Sequence, residues 1–169
     1  MSSGFVHLHT HSSYSPMWGI PTLEALCQAA RTQGQDRLAL TDTNGLYGAI
    51  RFLEVAKHEG LKPILGAELV HKAHRAVLLA KTPAGYANLC RLLSARHGES
   101  TFDFIAAVAR YRAGLIILSD DLSALRTWRK DSPKDVYVEL TPGSDIQEAI
   151  TFSRRNGLSP VATTRAACL

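Results

Sequence analysis

The stretch Phe5–Ser15 reads Phe-Val-His-Leu-His-Thr-His-Ser-Ser-Tyr-Ser and holds three of the chain's seven histidines, His7, His9 and His11. A strand repeats its side-chain direction every second residue, so the three imidazoles point one way if the strand runs that far. Neutral imidazole is a good ligand for Zn, Mn and Fe, and two histidines separated by one strand residue can grip one ion or bridge a pair. The bland alternative is a polar strand edge. Three in register, after an apolar lead-in and before a small polar loop, favour a site.

The surrounding chain must position these rings. Val6–His9 reads as the first strand, and Pro16 and Gly19 break the chain after it. Thr22 can cap a helix with Leu23, Leu26, Ala29 and Ala30 on its apolar face, ended by Gly34. Arg37–Thr41 is a short apolar strand. Asn44 can cap a helix with Leu46, Ala49, Ile50, Leu53 and Ala56 inward. Leu61–Val70 and Arg75–Ala80 read as strands, and Thr82-Pro83 as a helix start, a cap followed by Pro at the first position. Ser100 and Asp103 have capping-box-like spacing before a helix with Phe104, Ile105 and Val108. Gly114–Ser119, Val136–Leu140 and Ser159–Thr163 are further strands, separated by helices over Leu122–Trp128 and from Ile146 to Gly157. Strands and helices thus alternate about seven times, and the central strands are continuous apolar runs. Strands buried on both faces look like this and occur in parallel sheets covered by helices; a barrel and an open doubly wound sheet both fit.

In either fold, function sits at the C-terminal ends of the strands. Those exits carry His9, His11 and Tyr14; Thr41, Asp42, Thr43 and Asn44; Ser119, Asp120 and Asp121; Thr141; and Thr163, Thr164 and Arg165. Glu68 lies within the third strand. Two imidazoles with two or three carboxylates form a hard-to-borderline metal cup. Helix capping competes as the role of Asp42 and Asn44, and a helix N-terminus is the favoured role of Asp120 and Asp121. A carboxylate inside the apolar segment Pro63–Val70 is harder to explain that way, because a buried carboxylate wants a cation or a donor.

Bulk properties narrow the class. The 169 residues suffice for one domain with a full core; 46% are hydrophobic and 20% charged, as in a soluble globular protein. No apolar run approaches the roughly 20 residues that span a bilayer. The N-terminus lacks a signal pattern, so a cytoplasmic location is expected, with no membrane partner. Cys27, Cys90 and Cys168 are odd in number and far apart, which reads as reduced thiols. A net charge of +4 permits contact with nucleic acid without demanding it.

The ordered motifs resemble one family. The run His-Leu-His-Thr-His-Ser-Ser-Tyr-Ser (7–15), then Leu-Ala-Leu-Thr-Asp-Thr-Asn-Gly-Leu-Tyr-Gly-Ala-Ile-Arg-Phe (38–52), then Leu-Lys-Pro-Ile-Leu-Gly-Ala-Glu (61–68) are similar to the first three motifs of a PHP (polymerase and histidinol phosphatase) domain. The closest form is that at the N-terminus of the bacterial DNA polymerase III alpha subunit and its error-prone paralogue. Leu78–Lys81, the Gly-Tyr-Ala-Asn-Leu segment from Gly85, Gly114–Ser119, Tyr137–Leu140 and Pro160–Thr163 also look like the polymerase branch. The resemblance covers nearly the whole chain.

It implies an α/β fold, a distorted seven-stranded (β/α)7 TIM-like barrel over residues 1–169, with a metal cup at the strand C-termini. Active members resembling it hold two or three ions on about nine His, Asp, Glu and Cys ligands and hydrolyse phosphoesters. Others lack the ligands and act as a scaffold that steadies the polymerase and docks the proofreading exonuclease, with DNA contacted indirectly. His9 and His11 match the paired histidines, Glu68 matches the third motif's carboxylate, and Asp121 falls on a family Cys position that it could still serve. Elsewhere the ligand positions fall on Trp18, Thr43, Arg75 (with His74 one residue away), Arg165 and Ala167. Trp18 and Ala167 cannot bind a metal, and Arg165 puts a fixed positive charge where a cation would sit. The expected metal set is therefore His9, His11, Glu68 and Asp121, with His7, Asp42, Thr43, His74, Asp120 and Arg165 as cup neighbours. Such a set holds one Zn, Mn or Fe ion weakly, or none. The polymerase body that follows this domain in the family has no counterpart here, so the chain reads as an excised domain or a small relic, unable to polymerise DNA by itself. Three functions compete: a degenerate scaffold, an active metal-dependent phosphoesterase (3′–5′ exonuclease or pyrophosphatase), and a nucleic-acid-binding module using Arg91, Arg96, His97, Arg110, Arg112, Arg126, Arg129 and Lys130. A solvated helical face is the commoner meaning of such a basic set.

Overall fold

The computed structural model describes residues 5–165. Local signals place most of the elements. Helix α1 (Leu23–Thr32) starts at Thr22, whose hydroxyl accepts from the Ala25 N–H at 3.2 Å, and buries Leu23, Leu26, Cys27 and Ala30. Strand β1 (Arg37–Leu40) follows, then α2 (Ala49–His58), β2 (Lys62–His71) and β3 (His74–Ala80). Helix α3 (Pro83–Gly98) begins with Pro83 in its first turn behind the Thr82 cap. Helix α4 (Phe104–Tyr111) is capped by Asp103, which accepts from Ala106 N–H at 3.1 Å. Then come β4 (Leu115–Ser119), α5 (Leu122–Asp131), β5 (Val136–Leu140), α6 (Ile146–Asn156) and β6 (Ser159–Ala162). No described helix is long and apolar enough to cross a membrane.

The six strands form one curled, half-barrel sheet in the order β1-β2-β3-β4-β5-β6. Two expectations need correction. The sheet is mixed: β1–β2, β4–β5 and β5–β6 are parallel, but β3 runs antiparallel to both neighbours. No helix separates β2 from β3, so they form a hairpin with His71 opposite His74 and Lys72 turning at φ 55°. An apolar run reports two buried faces, and antiparallel strands under helices satisfy that as well as parallel ones.

The closed seven-stranded barrel is also not seen. The expected first strand lies beside β1, giving His7 O to Ala39 N–H and Thr10 O to Thr41 N–H, both at 3.0 Å, but joins no ladder as a strand. On its other flank its contacts are through side chains: His7 to Thr164 and His9 to Glu139. Asn44 is not a helix cap either. Its φ is 54°, and its side chain accepts from Val70 N–H at 2.8 Å, tying the β1 exit to β2.

Strand alternation sorts side chains onto two faces. Leu69, Leu78, Ile117 and Val138 face outward into the main core with Leu89, Leu92, Phe104 and Trp128 of the covering helices. Leu38 and Leu40 pack with Leu26 and Phe52 of α1 and α2. The inner face carries a small cluster of Ala39, Val77, Leu79 and Leu118. Glu68, Arg75 and Glu139 share the inner parity, so the same rule that builds the core brings the charged groups together above that cluster. Cys27 and Cys90 are free thiols, and Cys168 lies outside the described residues.

Candidate metal centre

Backbone pairing fixes Glu68 first. Beyond the end of β1, Thr43 makes an isolated parallel bridge to Glu68, and Glu68 O accepts from Asn44 N–H at 2.8 Å. The carboxylate is buried. Its Oε2 accepts from the Thr43 hydroxyl at 2.9 Å, and its Oε1 lies 3.4 Å from His9 Nε2. Burial alone would raise its pKa, but the adjoining His9 ring, with His11 and the Thr43 hydroxyl, prevails and holds it at about 2, so it is ionised.

His9 is fully buried, with Nδ1 2.7 Å from Glu139 Oε1, which also accepts from the Thr163 hydroxyl at 2.6 Å. Burial disfavours a charged ring, yet the carboxylates of Glu139 and Glu68 outweigh it and raise the His9 pKa above its usual value. The bond and charge of His9, with the Thr163 hydroxyl, in turn keep Glu139 below the ordinary carboxylate range against its own burial. A carboxylate behind a histidine is the arrangement that orients metal-binding imidazoles.

His11 reaches the same place from the next inward position, with Nε2 3.7 Å from Glu68 Oε2. Its Nδ1 lies 3.3 Å from Ser15 Oγ and 3.4 Å from Thr43 Oγ1. Ser15 already donates its hydrogen to Asp42 and Thr43 donates its own to Glu68. Both hydroxyls can therefore only accept from His11, which places the ring proton on Nδ1 and leaves a lone pair on Nε2. Burial lowers the His11 pKa to about 4, so the ring is neutral at pH 7.

Ligand atoms of His9, His11 and Glu68 thus lie within 4.8 Å of one another, and both Nε2 atoms are buried without a hydrogen-bond partner. Two orphaned imidazole nitrogens facing an ionised carboxylate fit one borderline divalent ion. They do not fit a pair of ions, because Glu68 Oε1 also faces Arg165 Nη2 at 3.4 Å and Arg75 Nε at 3.9 Å.

The other sequence candidates have partners of their own around this cup, with Arg165 in reach of Glu68. Asp42 accepts from Ser12 N–H at 2.7 Å, Ser12 Oγ at 2.8 Å and Ser15 Oγ at 2.6 Å, pinning the loop after the histidines. His7 is 2.8 Å from Thr164 Oγ1 and 3.3 Å from Gln33 Oε1. Asp120 pairs with Arg75. Asp121 caps α5, accepting from Ser123 and Ala124 N–H, and lies 2.5 Å from His74 Nδ1. Arg165 stacks 4.8 Å over the Trp18 ring. Ala167 lies outside the described residues. Sequence reading missed Glu139. The signal was present, since a carboxylate in the apolar strand Val136–Leu140 poses the same question as Glu68. The orienting roles of Ser15 and Thr43 left no such signal. The cup opens into a cleft of about 580 Å³ rimmed by Trp18, Lys72, His74, Arg75, Arg96 and Arg165.

The PHP domain profile matches residues 7–141. The chain belongs to the PHP domain family. Within that family it is 47% identical over 94 residues to the error-prone DNA polymerase of Symbiobacterium thermophilum, a match covering 55% of this chain and 9% of that protein. It is 35% identical over 140 residues to the DNA polymerase III subunit alpha of Treponema pallidum, covering 70% of this chain and 12% of that protein. The PHP chain thus spans about a tenth of the length of these curated relatives. In fold it is similar to a two-domain protein from Bacteroides vulgatus containing a predicted PHP-like metal-dependent phosphoesterase. That match has TM-score 0.67 and 14% identity and covers 96% of this chain and 52% of the other.

Proposed function

We propose that this chain is the PHP module of a bacterial DNA polymerase of the polymerase III alpha or error-prone type, acting as a structural scaffold rather than as a hydrolase. In this reading it steadies the polymerase body, docks the proofreading exonuclease subunit, meets DNA only indirectly, and works in the cytoplasm. The observation that carries it is the composition of the cup. Among the described residues, only His9, His11 and Glu68 bring ligand atoms together, and two guanidinium groups crowd the same carboxylate. Metal-assisted phosphoester hydrolysis by a pair of ions needs both well ligated and roughly 3.5–4 Å apart. Asp121 as a fourth ligand would have to leave both the α5 cap and His74.

A second reading, a one-ion phosphoesterase, is favoured by the two buried, unpartnered Nε2 atoms. When bound, a divalent cation would polarise a phosphoryl oxygen or activate water. His9, His11 and Glu68 would hold it, with Glu139 and the Ser15 and Thr43 hydroxyls orienting the rings. Elemental analysis of the chain purified without chelators, paired with a 3′–5′ exonuclease assay in added manganese, separates the two. The scaffold reading expects less than one tightly bound ion per chain and no turnover. One or more tightly bound ions, with turnover abolished by His9→Ala, would reverse it.

A further inference from the structure

One oxygen, Glu68 Oε1, faces the His9 ring at Nε2 (3.4 Å) and two guanidinium groups, Arg165 Nη2 at 3.4 Å and Arg75 Nε at 3.9 Å. The Nε atoms of both arginines are buried and have no hydrogen-bond partner. Arg165 donates to Glu68 Oε1 from Nη2, whereas Arg75 faces that oxygen by charge and gives its own Nη2 bond to Asp120. Each guanidinium is braced from behind. Asp120 pairs with Arg75, and the Trp18 ring lies 4.8 Å beneath Arg165, a cation–π contact. The two come from unrelated parts of the chain, the start of β3 and the segment after β6, and converge on one carboxylate.

We propose that Arg75 and Arg165 are built-in counter-ions of Glu68. They neutralise the buried carboxylate so that the cup stands without a metal, and they suppress divalent-cation binding at His9, His11 and Glu68. Trp18 is the latch that keeps Arg165 in place. A carboxylate already shared by two fixed cations offers less attraction to an incoming ion, and that ion is repelled by both guanidinium groups at close range. The arginines therefore do more than stand where ligands are lacking: they set the affinity of the ligands that remain. The inference rests on the one-ion-or-none reading above.

The test is calorimetric titration of the metal-stripped chain with Zn²⁺ alone and Mn²⁺ alone. Arg165→Gln is expected to bind at least about tenfold more tightly than the unaltered chain, and Trp18→Ala about threefold, through loss of a nearby positive charge or of its brace. Adding His9→Ala to Arg165→Gln should remove the gain. Trp18 is 54% exposed, so its truncation spares the core and serves as the test should Arg165→Gln fail to fold. Affinity in folded Arg165→Gln and Trp18→Ala equal to that of the unaltered chain, or a gain that survives His9→Ala, would overturn the proposal. Tight binding of two ions by the unaltered chain would instead overturn the scaffold reading, so the two failures are distinguishable.

Discussion

At the scale of single residues, His11 shows how neutral groups choose the nitrogen that faces a cavity. Ser15 and Thr43 already donate elsewhere, so the ring must donate from Nδ1, and burial keeps it neutral. The linkage follows. The His11 pKa falls from 6.5 in the unfolded chain to about 4, so between those values the unfolded state binds the extra proton and stability falls as pH drops. Glu68, held at about 2 against an ordinary 4.5, adds a second loss below pH 4.5. His9, raised, works in the opposite direction: its contribution is present below 6.5 and is lost as pH rises through its folded value. Urea denaturation of the metal-free chain should show stability declining from pH 6.5 to 4 by up to roughly 3 kcal/mol from His11. His11→Gln should flatten that interval, and an unchanged pH slope in the variant would refute the assignment. Glu139→Ala should cost about 3 kcal/mol or more, because it leaves the His9 ring buried without its partner. Denaturant midpoints read this directly, and a loss under 1 kcal/mol would show that the pair does not hold the ring.

At the scale of elements, the Gly-Tyr-Ala-Asn-Leu segment gains a physical meaning. Gly85 in the first turn of α3 lies so close to the turn before β4 that a Cβ there would sit 1.9 Å from Gly114 O. Asn88, one turn on, donates to Ala113 O at 2.9 Å. Gly85→Ala should therefore lift α3 from the sheet and destabilise the fold by roughly 2–3 kcal/mol, as overpacking does. A thermal midpoint unchanged from the parent would contradict that close approach. The elements themselves were largely legible: caps at Thr22 and Thr82 and apolar periodicity mark helices that the structure contains, although α4 is capped by Asp103 itself and not by Ser100, where the capping-box spacing put the start. Strand direction was not, because apolar runs record burial and not pairing, and the missing helix between Val70 and Arg75 was the only hint of a hairpin. Of the cup, Glu68 was legible as a lone carboxylate in an apolar strand, and Glu139 was open to the same argument. The convergence of Arg75 and Arg165 on Glu68 was not legible, since it depends on how the strands β2 and β3 register and on where the chain returns after β6.

At the scale of the whole molecule, three of the cations that sequence reading singled out are engaged by the fold itself. Arg112 donates to Trp128 O and Ser132 O at 2.7 Å, Arg129 donates to Asn156 O at 2.9 Å, and Arg126 lies 5.6 Å over the Phe152 ring. These cations satisfy helix ends and cover aromatic surface. The half-barrel retains the geometry that, in this fold, lines up groups at the strand exits, while two arginines take the place of charge that ions would bring. The most direct measurement is anomalous diffraction from crystals grown with millimolar manganese or zinc. The account predicts at most one peak, bounded by His9, His11 and Glu68, with Arg165 displaced where the peak is strong. Two strong peaks about 4 Å apart, with Arg75 and Arg165 unmoved, would contradict it.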